Sequence, residues 1–340
     1  MPGSDAPRAA IVGVAGTELT AEEERLFRRL RPLGLIVFSR NIDTPAQVFD
    51  LTASFRRAVG REDAPVLIDQ EGGRVARLKA PHWRHPPAAA VFARLAATNP
   101  AAGRRAAYLN ARLMADDLAD LGIDVDCAPV LDLPIPGAHD VIGDRAHGDT
   151  PLMAASLGRA VARGLLAGGV IPVMKHIPGH GRAASDSHHE LPVVEASVPE
   201  FTARDAKPFA ALADTCPWAM TAHIVYRALD PDRPATLSPK VVRYLRREIG
   251  FGGVLVTDDL AMKALSGGPG PLAREAIAAG CDLVLECPGD LARTEAVLKA
   301  VPGLAGAAAR RVKAGARMAS GARKRFDRAK AEAALAALLP

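Results

Sequence analysis

The sequence predicts an α/β chain folded as a single (β/α)8 barrel of the TIM type, and three observations predict it. Short apolar, β-branched runs recur eight times, with helix-like stretches between them. The helix-to-strand connections are short while several strand-to-helix connections are long, which in a barrel gathers the long loops on the C-terminal face. No GxGxxG turn follows the first run, which counts against a doubly wound open sheet, the next candidate.

Strands are expected at 9–16, 34–39, 65–69, 125–132, 171–176, 218–224, 253–258 and 281–286. Helix starts carry their own signals. Thr20 and Glu23 make a capping-box pattern, and Thr44, Thr150 and Ser238 each precede a proline, with Gln47 following Thr44. Amphipathic spacing is clear in Leu26, Leu30 and Leu33, and again in Leu109, Leu113 and Leu118. Short connections are expected at 31–33, 60–64, 121–124, 168–170 and 250–252. The long ones run from Gln70 to about Asn99, over 133–149 and over 177–198. From about Gly303 the chain becomes an Ala- and Arg-rich helical tail. The expected organisation is therefore a catalytic barrel over residues 1–302, with a tail over 303–340 packed on it.

Composition bounds the function. In 340 residues, 49% hydrophobic content is enough to bury a large core, so a disordered chain is excluded. The 43 basic and 38 acidic side chains leave a formal charge of +5, with no Lys or Arg run that would form a nucleic-acid stripe. No segment approaches the roughly 18 to 20 consecutive apolar residues of a membrane span. Residues 9–16 are apolar but only strand-length, with no leader cleavage site set up behind them. Cys127, Cys216, Cys281 and Cys287 show no framework spacing and read as buried, reduced thiols of a cytoplasmic protein.

Strands of a closed parallel barrel are buried on both faces, so charges inside them are costly. Five of these runs nevertheless end in ionisable residues: Asp69, Asp132, Lys175 with His176, His223, and Asp258 with Asp259. Any one of them could cap a loop. Together, at one end of a barrel, they read as an active-site rim. Asp258 and Asp259 cannot both point into one site, because adjacent strand residues face opposite ways. Periodicity does not say which one does. The loop KHIPGHGRAASDSHHELP, starting at Lys175, holds His176, His180, His188 and His189. Asp186 stands two residues before His188, close enough to accept its N–H and raise its basicity. A metal site on His176, His180 and His188 is the competing reading, although the spacing matches no common zinc motif.

These residues also carry a resemblance. IDQEGGRVARL from Ile68, KHIPGHG followed by DSHHELP, TAHIVYRALDPDRPATLSP from Thr221 and VTDDLAMKAL from Val256 resemble glycoside hydrolase family 3. They are most similar to its single-domain bacterial β-N-acetylglucosaminidases of cytoplasmic peptidoglycan recycling. The resemblance runs from about residue 10 to residue 290, in order. It implies a retaining exo-glycosidase that removes terminal N-acetyl-β-D-glucosamine from muropeptides of the GlcNAc-anhydro-MurNAc type.

Asp258 would then be the nucleophile and His188, paired with Asp186, the acid/base. Asp69, Arg77, Arg145, Lys175 and His176 would bind the sugar. No cofactor or metal, no nucleic-acid or membrane partner, and a monomeric state are implied. Thr257 and Ala261 stand where the family usually has serine, and neither removes a reacting group. The alternatives are a β-glucosidase or glycoside phosphorylase of the same family and, from another class, a metal-dependent barrel hydrolase.

Overall fold

The computed structural model describes residues 6–183, 185–187 and 189–339. Eight parallel strands close into a barrel: β1 (Arg8–Val12), β2 (Pro32–Val37), β3 (Val66–Ile68), β4 (Val125–Asp126), β5 (Ile171–Ile177), β7 (Trp218–Thr221), β9 (Val254–Asp259) and β10 (Leu283–Glu286). A separate two-stranded sheet, β6 (Val193–Val194) with β8 (Val225–Tyr226), sits outside it. The barrel is closed by pairing of β1 with both β2 and β10.

The pleat sorts side chains into two sets. Ala9, Ile11, Leu67, Val125, Ile171, Val173, Val254, Val256, Leu283 and Leu285 form the core inside the barrel. Their neighbours Ala10, Val12, Val66 and Ile68 join the helices' core outside it. This alternation sets the direction of the polar residues at the strand ends. Asp69 continues the inward register of Leu67, Lys175 that of Ile171 and Val173, and Asp258 that of Val254 and Val256.

The helix starts form as the sequence predicts. Thr20 Oγ1 accepts from Glu23 N at 3.1 Å and Glu23 Oε2 accepts from Thr20 N at 2.7 Å, which closes a capping box. Leu26 and Phe27 turn inward from that helix, Ala21–Leu30, and Phe27 meets Phe55 edge-on at 5.7 Å. Thr44, Thr150 and Ser238 each cap the helix whose first residue is the proline after them.

Four expectations are corrected. The fourth run is a strand only over Val125–Asp126, because Pro129 has no N–H to continue the ladder; a single bridge from Val130 to Lys175 resumes it. The sixth run stops at Thr221, so His223 lies beyond its strand. The stretch from Gln70 to Asn99 is not all loop but contains the helix Ala89–Thr98. The connection over 31–33 shrinks to Arg31 alone, in a left-handed conformation at φ 49° before β2 begins at Pro32.

The end of the chain forms two helices, Gly306–Ala322 and Arg328–Ala336. The first lies under the N-terminal end of the barrel. Arg311 pairs with Asp282 at 2.7 Å, and the helix approaches Trp218 so closely that a Cβ at Gly315 would stand 2.9 Å from the indole nitrogen. Trp218 itself is fully buried. Arg112 lies 3.8 Å over the Phe326 ring, and Ala331 and Leu335 of the second helix join the main core. Among the described residues no helix is long and apolar enough to cross a membrane.

Candidate active site

At the C-terminal end of the barrel lies a cavity of about 410 Å³. Asp69, Arg77, Arg145, Lys175, His176 and Asp258, six of the eight residues expected in the site, line it. Asp186 is half-buried on the loop after β5 and does not line it, and His188 lies outside the described residues.

One wall is a charge network. Lys175 Nζ stands 2.7 Å from both Asp69 Oδ1 and Glu71 Oε1. Arg145 grips Glu71 with two parallel bonds of 2.8 Å, and Arg77 reaches Asp69 Oδ2 at 3.1 Å. Burial favours the neutral carboxyls, yet Lys175 and Arg77 outweigh it at Asp69, whose pKa falls well below the usual range. At Glu71 the same contest, won by Arg145 and Lys175, leaves a pKa of about 2. For Lys175 and Arg145 burial opposes the charge, but their carboxylates raise both pKa values.

The DQEGG turn builds this wall. Gln70 Oε1 accepts from the backbone of Arg77 and Leu78 at 2.8 and 3.1 Å, folding the loop back on itself. Gly72, at φ 102°, passes against the Pro87 carbonyl where a side chain would collide.

The opposite wall carries Asp258. Its Oδ1 accepts from Asp259 N at 2.8 Å. Burial alone would protonate it, but His176, His223, that N–H and Lys175 hold its pKa below the ordinary value. Asp259 also lines the cavity, but its Oδ1 accepts from Ala261 N and Cys287 N at 3.1 and 3.0 Å, and burial raises its pKa. The two carboxylates thus differ in strand register and in the backbone groups they hold.

His176 should face outward by simple alternation. The pairing of β5 with β7 shifts register between Lys175 and Ile177, and His176 lines the cavity beside Lys175. Its Nδ1 is 2.7 Å from Asp132 Oδ2. Asp132 and His223, both read from the sequence as rim residues, do not line the cavity. Asp132 is wholly buried against His176, and His223 is held between Thr236 Oγ1 at 2.7 Å and the Asp259 carbonyl at 3.0 Å.

Glu71 and Arg40 line the cavity and were not singled out from the sequence. For Glu71 a signal existed, an anion inside the same motif as Asp69 and Arg77. Arg40 had none. It bonds the Val14 and Cys287 carbonyls and stacks 5.0 Å over Phe38. Among the described residues no three His, Cys, Asp or Glu side chains are grouped to hold a metal ion.

The comparisons with known proteins agree with one another. The glycosyl hydrolase family 3 N-terminal domain matches residues 12–319. A β-hexosaminidase of Alkalilimnicola ehrlichii is 41% identical over 281 residues, which is 82% of this chain and 80% of that protein. One from Pseudomonas aeruginosa is 40% identical over 294 residues, 86% and 85% of the two chains. The structure of NagZ from Neisseria gonorrhoeae in complex with N-trifluoroacetyl-D-glucosamine superposes with a TM-score of 0.85 at 32% identity, covering 98% of each chain. With a polar cavity at the carboxyl end of a (β/α)8 barrel and relatives aligned over most of its length, the chain belongs to glycosyl hydrolase family 3 and is a glycoside hydrolase, of the N-acetylhexosaminidase kind for which those relatives are named.

Proposed function

We propose that the chain is a retaining exo-β-N-acetylglucosaminidase with Asp258 as nucleophile and His188, paired with Asp186, as acid/base. The observation that carries this reading is Asp258 itself, a carboxylate held below its ordinary pKa on the inward register of β9, in a cavity of about 410 Å³. Asp258 attacks C1 while protonated His188 gives its proton to the departing glycosidic oxygen. The glycosyl ester then yields to water, which neutral His188 deprotonates, so the anomeric configuration is kept. An imidazole whose ordinary pKa is near 6.5 can serve both steps. Asp186 stabilises the imidazolium between them.

Asp69, Arg77, Arg145, Lys175 and His176 bind the hydroxyls and acetamido group of the terminal sugar. Their mutual pairing supports this, since a pre-set array of charged donors and acceptors needs little reordering on binding. The N-acetylglucosamine analogue held by the gonococcal relative supports the substrate class. Resemblance to the recycling enzymes supports muropeptides as the natural substrate and the cytoplasm as the compartment, the protein acting as a monomer. Four free, buried cysteines accord with a reducing compartment. The barrel of residues 1–302 carries all these groups, and the tail of 303–340 serves as its floor.

The test is turnover of an aryl N-acetyl-β-glucosaminide and the matching glucoside, with and without phosphate and a chelator. Asp258→Ala is expected to lose about 10⁴-fold or more in kcat, and the first product anomer seen by NMR to be β. Preference for the glucoside would move the substrate, dependence on phosphate would make the enzyme a phosphorylase, and loss on chelation would return the metal reading.

A further inference from the structure

We infer that His180 is a positioning residue that pins the loop of the proposed acid/base to the barrel through Ser187. The inference rests on the assignment of Asp186 and His188 made above. The His180 imidazole is buried, at 3% exposure, and its Nδ1 has no hydrogen-bond partner among the described residues. Among the described residues, the side-chain partner of its ring is Ser187, Nε2 to Oγ at 3.1 Å. Burying an imidazole with one ring nitrogen unpartnered costs free energy, so the ring is not accounted for by stability alone.

Ser187 lies between Asp186 and His188 in the chain. Its carbonyl accepts from Ala264 N at 3.2 Å, in the loop that follows the β9 strand of Asp258. Ser187 is thus tied on one side to the loop after β5 and on the other to the loop after the nucleophile. Burial, and then the neighbouring His176, push the His180 pKa down to about 4, so this contact keeps one protonation state across neutral pH.

The geometry also separates this role from sugar binding. Asp132, which holds His176, accepts from the backbone N–H of His180 at 2.6 Å, not from its ring. His180→Ala therefore keeps that bond and removes the link to Ser187 together with the edge-on contact of the His180 and His176 rings at 5.7 Å, whereas Ser187→Ala removes the link and leaves the ring contact in place.

The chemistry offers a selective readout. A phenyl leaving group needs a proton from the acid, whereas a dinitrophenyl group departs as a stable anion without one. With the dinitrophenyl glycoside, added azide attacks C1 of the glycosyl ester directly. It forms a glycosyl azide and frees the Asp258 carboxylate, bypassing the base. A displaced acid/base is therefore felt with one substrate and rescued with the other.

For His180→Ala the expected result is a fall of about 100-fold in kcat/KM for phenyl N-acetyl-β-glucosaminide. For the dinitrophenyl glycoside kcat/KM should stay within about threefold, with kcat restored by azide. Ser187→Ala should show the same split, His180→Gln should recover part of the loss, and His180→Ala with His188→Ala should be no slower than His188→Ala alone. Equal losses on both substrates in both single variants, or none in either, would overturn the pin while the acid/base assignment stood. If His188→Ala itself failed to distinguish the two leaving groups, the assignment and the pin would fall together.

Discussion

Asp132 holds the cavity-lining His176, Oδ2 to Nδ1 at 2.7 Å, with the carboxylate wholly withdrawn from solvent. The same carboxylate accepts the backbone N–H of His176 at 3.2 Å and that of His180 at 2.6 Å. One buried anion therefore anchors the end of β5 and the loop that leaves it. Burial disfavours that anion, but His176 and His180 hold its pKa below the ordinary value.

Removing this anchor should be felt in folding before catalysis. Asp132→Ala leaves three donors without an acceptor, and a loss of about 3–5 kcal/mol in urea unfolding is expected. Asp132→Asn keeps an acceptor oxygen and should lose less. Equal midpoints for Asp132→Ala and the wild type would contradict the role described.

Glu71 is the second anchor. Glu71→Gln keeps the volume but leaves Arg145 and Lys175, both largely buried, facing a neutral amide. Hydrogen bonds to charged groups exceed neutral ones, so KM should rise by at least about tenfold. The check is a Michaelis curve on the aryl N-acetylglucosaminide beside an unfolding curve. An unchanged KM would mean that the charged wall does not shape sugar binding.

The groups whose pKa values are depressed make acid destabilising in two stages. Burial depresses the pKa values of His147, His180 and His223, His180 to about 4. The unfolded chain takes up these protons near pH 6.5 while the folded form refuses them. The stability they carry is therefore complete above that pH and lost as it falls toward 4. Glu71, whose pKa is held to about 2, adds a second loss below the ordinary carboxylate range. Asp124 and Asp126 act the other way, with Asp117, Asp205, Asp259 and Glu286: burial raises all six, Asp124 to about 6, so their share is present in acid and fades as pH rises. The histidine share is therefore read against a variant: from pH 7.5 to pH 5 the urea midpoint of His180→Gln should fall less, or rise more, than that of the wild type. The same change in both proteins would sink this account.

The barrel was legible because its eight apolar runs and its capping residues are local signals. The helix Ala89–Thr98 was not, since its N-cap is Ala88 and no side chain marks its start. Pro129 inside the fourth run was an available warning that the strand would stop early. The site was legible as residues gathered at strand ends, but their division of labour depended on register. Asp258 and Asp259 are neighbours in sequence and both line the cavity, and only the inward set of Val254 and Val256 distinguishes Asp258 from the carboxylate whose Oδ1 is spent on two backbone N–H groups. His176 defied alternation through a register shift that no local pattern announces. Asp132 and His223 have the composition of site residues, yet they do not line the cavity and instead bond His176 and the Asp259 carbonyl, which belong to residues that do.

The seating of the helix Gly306–Ala322 against Trp218 supplies an optical reporter. Trp83 and Trp218 are the chain's two tryptophans, and Trp218 is sealed from water by the tail. In a Trp83→Phe background its emission should lie at the blue end while the helix is docked and shift red when it lifts. Fluorescence can then report the floor of the barrel at the same time as turnover reports its mouth, and show whether the two ends come apart together.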